Sequence, residues 1–207
     1  MAQSEIEVLY FGDPMCSWCY GFSPEFSKLY NSHQDEFKFS FYMGGLRPHN
    51  KQSMFELAEF LKGHWSEVHK RSGQPFSYDI LESTEINYDT EPACRAVVTA
   101  KTLVPEHAFN IFKDIQKAFY AENKNPINTQ TYTEIFLKYG IEKTQFTELF
   151  LSQKMRDETQ SEFDYASSLG VRGFPSVVIK QGEKMTLIAS GYLTYEELIK
   201  RIGKLTE

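Results

Sequence analysis

The chain has 207 residues, 41% hydrophobic and 24% charged, which is long enough to bury a full core as one domain or as one domain carrying a large insertion. A net charge of -6 with no stripe of Lys and Arg excludes sequence-independent binding of nucleic acid or of an anionic membrane surface. Aromatic residues reach 15%, with 17 Phe and 12 Tyr, and point to a core or cleft rich in rings.

Met1 to Glu7 carries no basic segment followed by a long apolar one, and no apolar run reaches the roughly 18 to 20 residues of a membrane span. The expected location is therefore cytoplasmic. The 3 cysteines do not make a disulfide scaffold, so a close Cys pair reads as catalytic or metal-binding.

In chain order, residues 6–11 read as a short buried strand and residues 17–30 as a helix with Phe22, Phe26, Leu29 and Tyr30 at helical spacing. Pro24 inside that helix is expected to kink or restart it. Phe37, Phe39 and Phe41 alternate with Lys38, Ser40 and Tyr42, the period of a strand with unlike faces. Ser53, with Glu56 after it, predicts a capped helix through to about Arg71, its apolar stripe made by Phe55, Leu57, Ala58, Leu61 and Trp65. Residues 76–89 have no regular pattern. Thr90-Glu91-Pro92 starts a helix to Leu103, and Pro105 starts another to about Tyr120. Further helices are predicted from Asn128 or Thr129 to near Gly140, from Thr144 through Phe150, and from about Arg156 to Leu169, where Gly170 suits a left-handed cap. Residues 177–180 and 185–189 pair as a hairpin around Gln181-Gly182-Glu183, and a last helix covers residues 195–205.

The chemistry lies at the end of the first strand. Gly12-Asp13-Pro14 turns the chain, Cys16-Ser17-Trp18-Cys19 follows, and a helix begins there. A thiol in the first turn of a helix feels unpaired N–H groups and the positive end of the macrodipole, both of which favour the attacking thiolate. The spacing lets a second sulfur reach the first, so Cys16 is expected to attack and Cys19 to resolve. A zinc site is the competing use of Cys-x-x-C, but Cys94 and the histidines at 33, 49, 64, 69 and 107 supply no second ligand pair at finger-like spacing, so no metal is assigned. Trp18, Tyr20 and Phe22 can form an apolar apron for flexible peptide or simply core; Trp18, between the cysteines, is the one expected to be exposed.

Strand-helix-strand at one end, helix-strand-strand-helix at the other and a helical block between them resemble the thioredoxin superfamily, and more closely its DsbA-like branch. The fold class this implies is α/β, a thioredoxin fold with a large all-helical insertion: residues 1–48 and 156–207 as the thioredoxin-like domain, residues 49–155 as the inserted helical domain. Within that branch Asp13-Pro14-Met15-Cys16-Ser17-Trp18-Cys19-Tyr20-Gly21-Phe22, Gly44-Gly45-Leu46-Arg47 and Thr90-Glu91-Pro92-Ala93-Cys94-Arg95-Ala96 resemble the FrnE-like group of predicted disulfide isomerases, which lack a signal peptide. The resemblance spans nearly the whole chain. It implies a cis peptide bond at Pro175 beside the Cys pair, where the Phe174 backbone would offer its N–H and C=O to a substrate strand. A trans proline that merely starts a strand is the plain alternative.

The implied activity is that of a thiol-disulfide oxidoreductase acting on a disulfide-bearing protein or a small thiol such as glutathione, with no prosthetic group. DsbA has proline and histidine between its cysteines. Ser17 and Trp18 stand here, which removes a cationic partner for the thiolate, so a strongly oxidising potential does not carry over and the pair reads as a reductant or isomerase. Asp13 is assigned to capping the turn or relaying a proton. Cys94, at a helix start, is either a buried small residue or a third redox group. Arg47 and Arg95 are either ordinary surface arginines or partners for a thiol's carboxylate. Two rivals stand beside this reading: a glutathione-dependent transferase or isomerase resembling the kappa type, and a non-enzymatic peptide-binding adaptor or chaperone. The sequence does not fix the oligomeric state.

Overall fold

The computed structural model describes residues 6–206. Residues 1–5 lie outside, and with them most of the stretch read above for a signal and the start of the expected 1–48 unit. Strand β1 (Ile6–Gly12), helix α1 (Ser17–His33) and strand β2 (Lys38–Met43) come first. Six helices follow: α2 (Ala58–Ser72), α3 (Glu91–Leu103), α4 (Ala108–Tyr120), α5 (Thr129–Leu137), α6 (Lys143–Phe150) and α7 (Gln153–Ser168). The hairpin β3 (Ser176–Gln181) and β4 (Lys184–Ser190) leads to α8 (Tyr195–Thr206).

The four strands order as β2-β1-β3-β4, with β1 parallel to β2 and antiparallel to β3, and β3 antiparallel to β4. β1 is central because it is apolar on both faces. Val8 and Tyr10 enter the large core under α1 and the inserted helices, whereas Leu9 and Phe11 enter a smaller one with Val178 and Ala166 of α7. The large core is continuous from β1 through α1 to α6 and α8. This is the α/β thioredoxin arrangement with a helical insertion, and it puts the C-terminal end of β1, the N-terminus of α1 and the segment before β3 at one edge.

The structure departs from the sequence reading in three informative places. Pro24 neither breaks nor restarts α1, which runs unbroken over it. The Tyr20 carbonyl, deprived of its helical donor by the proline, instead accepts from the Gln74 side-chain amide at 3.1 Å. The second helix begins at Ala58 and not at Ser53, although the Ser53–Glu56 capping box forms, with Ser53 N–H to the Glu56 carboxylate at 2.7 Å and Glu56 N–H to Ser53 Oγ at 3.2 Å. Ser53 pairs with Asn87 as an isolated bridge, so the residues after it form a turn and Phe55 is left 58% exposed instead of joining an apolar stripe. α7 begins earlier than its periodicity indicated, at Gln153, because Ser152 Oγ accepts from Met155 N–H at 3.2 Å and caps it.

Candidate active site

β1 hands the chain to α1 through a tight buried turn. Asp13 Oδ1 accepts from Met15 N–H at 2.8 Å, and the Asp13 carbonyl accepts from Cys16 N–H at 3.0 Å, which sets Cys16 in extended backbone at φ -87° and ψ 116° as the N-cap of α1. Its side chain makes no capping bond, and Cys16 lines a cavity at the helix start. Cys16 is 5% exposed and Cys19 0%, and both are free thiols. Burial pushes the Cys19 thiol well above its ordinary value, and the adjacent Cys16 raises it further.

The segment before β3 closes over the pair. The Phe174–Pro175 peptide bond is cis, and Cys16 Sγ donates to the Phe174 carbonyl at 3.4 Å. The Pro175 carbonyl accepts from Gly191 N–H at 2.7 Å, which ties this segment to the end of β4. The Phe174 N–H has no acceptor among the described residues. The Phe174 ring lies on Gly44, where an added Cβ would sit 2.0 Å from two of its carbons, so only glycine admits the ring there.

Two cavities meet at Trp18 and Phe174. One, of about 270 Å³, is lined by Cys16, Arg47, Phe60, His64 and Tyr88. The other, of about 630 Å³, is lined by Lys70, Arg71 and Tyr192. Trp18 is half-buried, not exposed as its position between the cysteines indicated, because it packs edge-on against Tyr192 at 6.4 Å; Tyr20 and Phe22 are core. The Arg47 guanidinium lies 5.9 Å over Phe60 and 5.8 Å over Tyr88, with no carboxylate in ion-pair range among the described residues.

Asp13 and Cys94 form a unit behind the pair. Asp13 Oδ2 accepts from Leu46 N–H at 2.7 Å and from the Cys94 thiol at 3.3 Å. Burial raises the Asp13 carboxyl, partly offset by the N–H groups of Leu46 and Met15. At Cys94 the helix start is outweighed: burial, then the Asp13 carboxylate, push the thiol well above its ordinary value. Arg95 is no surface arginine. It is 5% exposed, pairs with Glu91 at 2.8 Å and donates to the Phe150 carbonyl at 2.9 Å, so it is committed to the fold. Among the described residues no group of His, Cys, Asp and Glu is arranged to hold a metal ion.

Sequence reasoning did not find Tyr88, Arg71 or Tyr192, which reach the site from the helical block and the β4–α8 connection. No motif marks them. Gly44 belongs to the Gly44-Gly45-Leu46-Arg47 motif, yet spacing alone does not disclose its partner Phe174.

A four-stranded thioredoxin sheet, a Cys-x-x-C at the first helix and a cis proline facing it define a protein of the thioredoxin-fold thiol-disulfide oxidoreductase class. The chain belongs to the DSBA-like thioredoxin domain family, which matches residues 7–202. Among solved structures it is similar to a candidate protein disulfide isomerase from Nitrosomonas europaea, at 32% identity over 98% of each chain with a TM-score of 0.90. It shares the fold of the cytosolic disulfide reductase DsbM from Pseudomonas aeruginosa, at 23% identity over 97% of each chain with a TM-score of 0.80. The same fold is seen in DsbM with GSH, at 22% identity over 97% of this chain and 98% of that one, with a TM-score of 0.75. No curated protein matches the chain. Among the described residues no helix is long and apolar enough to cross a membrane.

Proposed function

We propose that the chain is a disulfide reductase or isomerase in which Cys16 attacks and Cys19 resolves. The observation that carries this is Cys16 at the N-cap of α1, 3.4 Å from the Phe174 carbonyl, with Cys19 buried behind it. Cys16 thiolate attacks one sulfur of a substrate disulfide, a mixed disulfide forms, and the other sulfur leaves as a thiol after taking up a proton. Cys19 then attacks Cys16, releasing the second thiol. Two electrons pass to the substrate and a 16–19 disulfide remains, to be reduced by a thiol donor. In the isomerase mode the bound substrate resolves the mixed disulfide with another of its own thiols.

The Phe174 N–H and C=O supply an edge for an extended substrate strand, and Trp18 and Pro175 flank it. Residues 49–155 serve as an inserted helical roof. Arg47 receives the carboxylate of a small acidic thiol in the cavity beside Cys16, and the structure of DsbM with GSH supports glutathione as that thiol. Without a histidine between the cysteines, the site suits reduction in a reducing compartment such as the cytoplasm. Cys16→Ser is expected to abolish insulin reduction and the refolding of scrambled substrate. Full activity in that variant rules the reading out.

A further inference from the structure

We propose that Tyr88 is a positioning residue for Cys16, its hydroxyl holding the peptide bond that precedes the attacking sulfur. The inference rests on the assignment of Cys16 as attacker. Tyr88 lies at 3% exposure in the segment before α3, stacked on Phe119 at 6.2 Å, where a phenylalanine would pack equally well. A buried hydroxyl without a partner is costly, so its partner is informative. The Tyr88 hydroxyl donates to the Met15 carbonyl.

That carbonyl belongs to the turn between β1 and α1, and among the described residues no backbone N–H reaches it. The Met15–Cys16 peptide has two polar groups. Its N–H, that of Cys16, donates to the Asp13 carbonyl at 3.0 Å, and its C=O is taken by Tyr88, so the plane is held along both edges. Rotation of this plane changes φ of Cys16, the N-cap of α1, and with it the direction of the sulfur. It also decides where the Met15 oxygen points. The free N–H groups of the first helical turn favour a thiolate at the N-cap, whereas a carbonyl oxygen turned toward the sulfur opposes one. A donor on the Met15 oxygen fixes it and draws off part of its negative charge.

Tyr88 is itself pinned on several sides. Its N–H donates to the Gln52 carbonyl at 2.9 Å, and the Arg47 guanidinium lies 5.8 Å over its ring. Two residues on, Thr90 Oγ1 accepts from Arg47 N–H at 3.1 Å, and Thr90 N–H donates to the Arg47 carbonyl at 3.2 Å. Burial pushes the Tyr88 phenol well above its ordinary value, so it keeps its proton and remains a donor. The ring also lines the cavity of about 270 Å³ beside Cys16, so one side chain joins the helical block, the cavity wall and the turn that carries the nucleophile.

The test alkylates Cys16 with iodoacetamide, a small neutral reagent, in the full chain carrying Cys19→Ser, across pH and below the melting temperature of every variant. Tyr88→Phe is expected to slow alkylation about tenfold at neutral pH and by much less in alkali, where the thiol is ionised with or without the tyrosine. A 3,5-difluorotyrosine at position 88, a stronger donor of nearly the same shape, should speed alkylation at neutral pH, and it carries the test alone if Tyr88→Phe does not fold. Unchanged rates with either substitution, or a loss in Tyr88→Phe that is the same at every pH, overturn the role of Tyr88. Full disulfide reduction by Cys16→Ser overturns instead the assignment of Cys16 on which the role rests.

Discussion

Cys16 and Phe174, 158 residues apart in sequence, meet in a single hydrogen bond of 3.4 Å from thiol to carbonyl. Around this contact the first helix, the turn before β3 and the helical insertion are brought to one edge of the sheet. In the proposed reaction a substrate disulfide would approach both at once, with its sulfur at Cys16 and its backbone along Phe174.

Gly44 holds the Phe174 side of that contact in place. Gly44→Val puts branched carbon where the ring lies and should cost about 1 to 3 kcal/mol of stability through overpacking. Turnover should fall further than stability alone explains, because Phe174 is pushed off its position over Cys16. Thermal melting and insulin reduction on the same preparation check this; a destabilised variant with unchanged turnover per folded molecule contradicts it.

Arg47 has aromatic neighbours and, among the described residues, no carboxylate in ion-pair range. If it receives the carboxylate of a small acidic thiol, Arg47→Ala should raise KM for oxidised glutathione about tenfold. KM for a neutral aromatic disulfide should hardly change. Equal losses on both substrates would assign Arg47 to the fold.

Asp13 gives a pH signature. Its carboxyl is raised in the folded chain by burial, so the folded state binds a proton more tightly than the unfolded one. The stability this contributes is complete below the ordinary aspartate value and is lost as pH rises through the folded one. The deficit of Asp13→Asn relative to the parent should therefore be largest in acid and shrink as pH rises through that window. Urea titrations at a series of pH values measure it, and a deficit that grows with pH contradicts the assignment.

Arg95 should behave as structure, not as a binding group. Arg95→Ala leaves Glu91 buried and uncompensated and should cost about 3 to 5 kcal/mol. Glutathione affinity of the folded fraction should stay constant, as calorimetry can show.

The fold was legible because its signals are local and repeated: the alternation in β2, the apolar run of β1, the glycine stops and the Cys pair at a strand-to-helix junction all survive in three dimensions. The failures were cases where a distant group supplied what the local pattern lacked. Gln74 provides the donor that Pro24 removes from α1, and the bridge from Ser53 to Asn87 delays α2 despite an intact capping box. In the site, Cys16 and Pro175 could be read from motifs, but the half-burial of Trp18 depends on Tyr192, and the seat of the Phe174 ring depends on a glycine 130 residues away in sequence, Gly44. No periodicity encodes such contacts. Arg95 read as a free arginine because nothing in its neighbourhood of sequence discloses the Phe150 carbonyl that anchors it.

The division of labour between the two cysteines is tested most directly by intact-protein mass spectrometry of Cys16→Ser and Cys19→Ser, each mixed with a disulfide-bearing peptide. A stable peptide adduct is expected on Cys19→Ser, mapped to Cys16, and none on Cys16→Ser. An adduct on Cys19 in the Cys16→Ser chain, formed as fast and in equal yield, would contradict it.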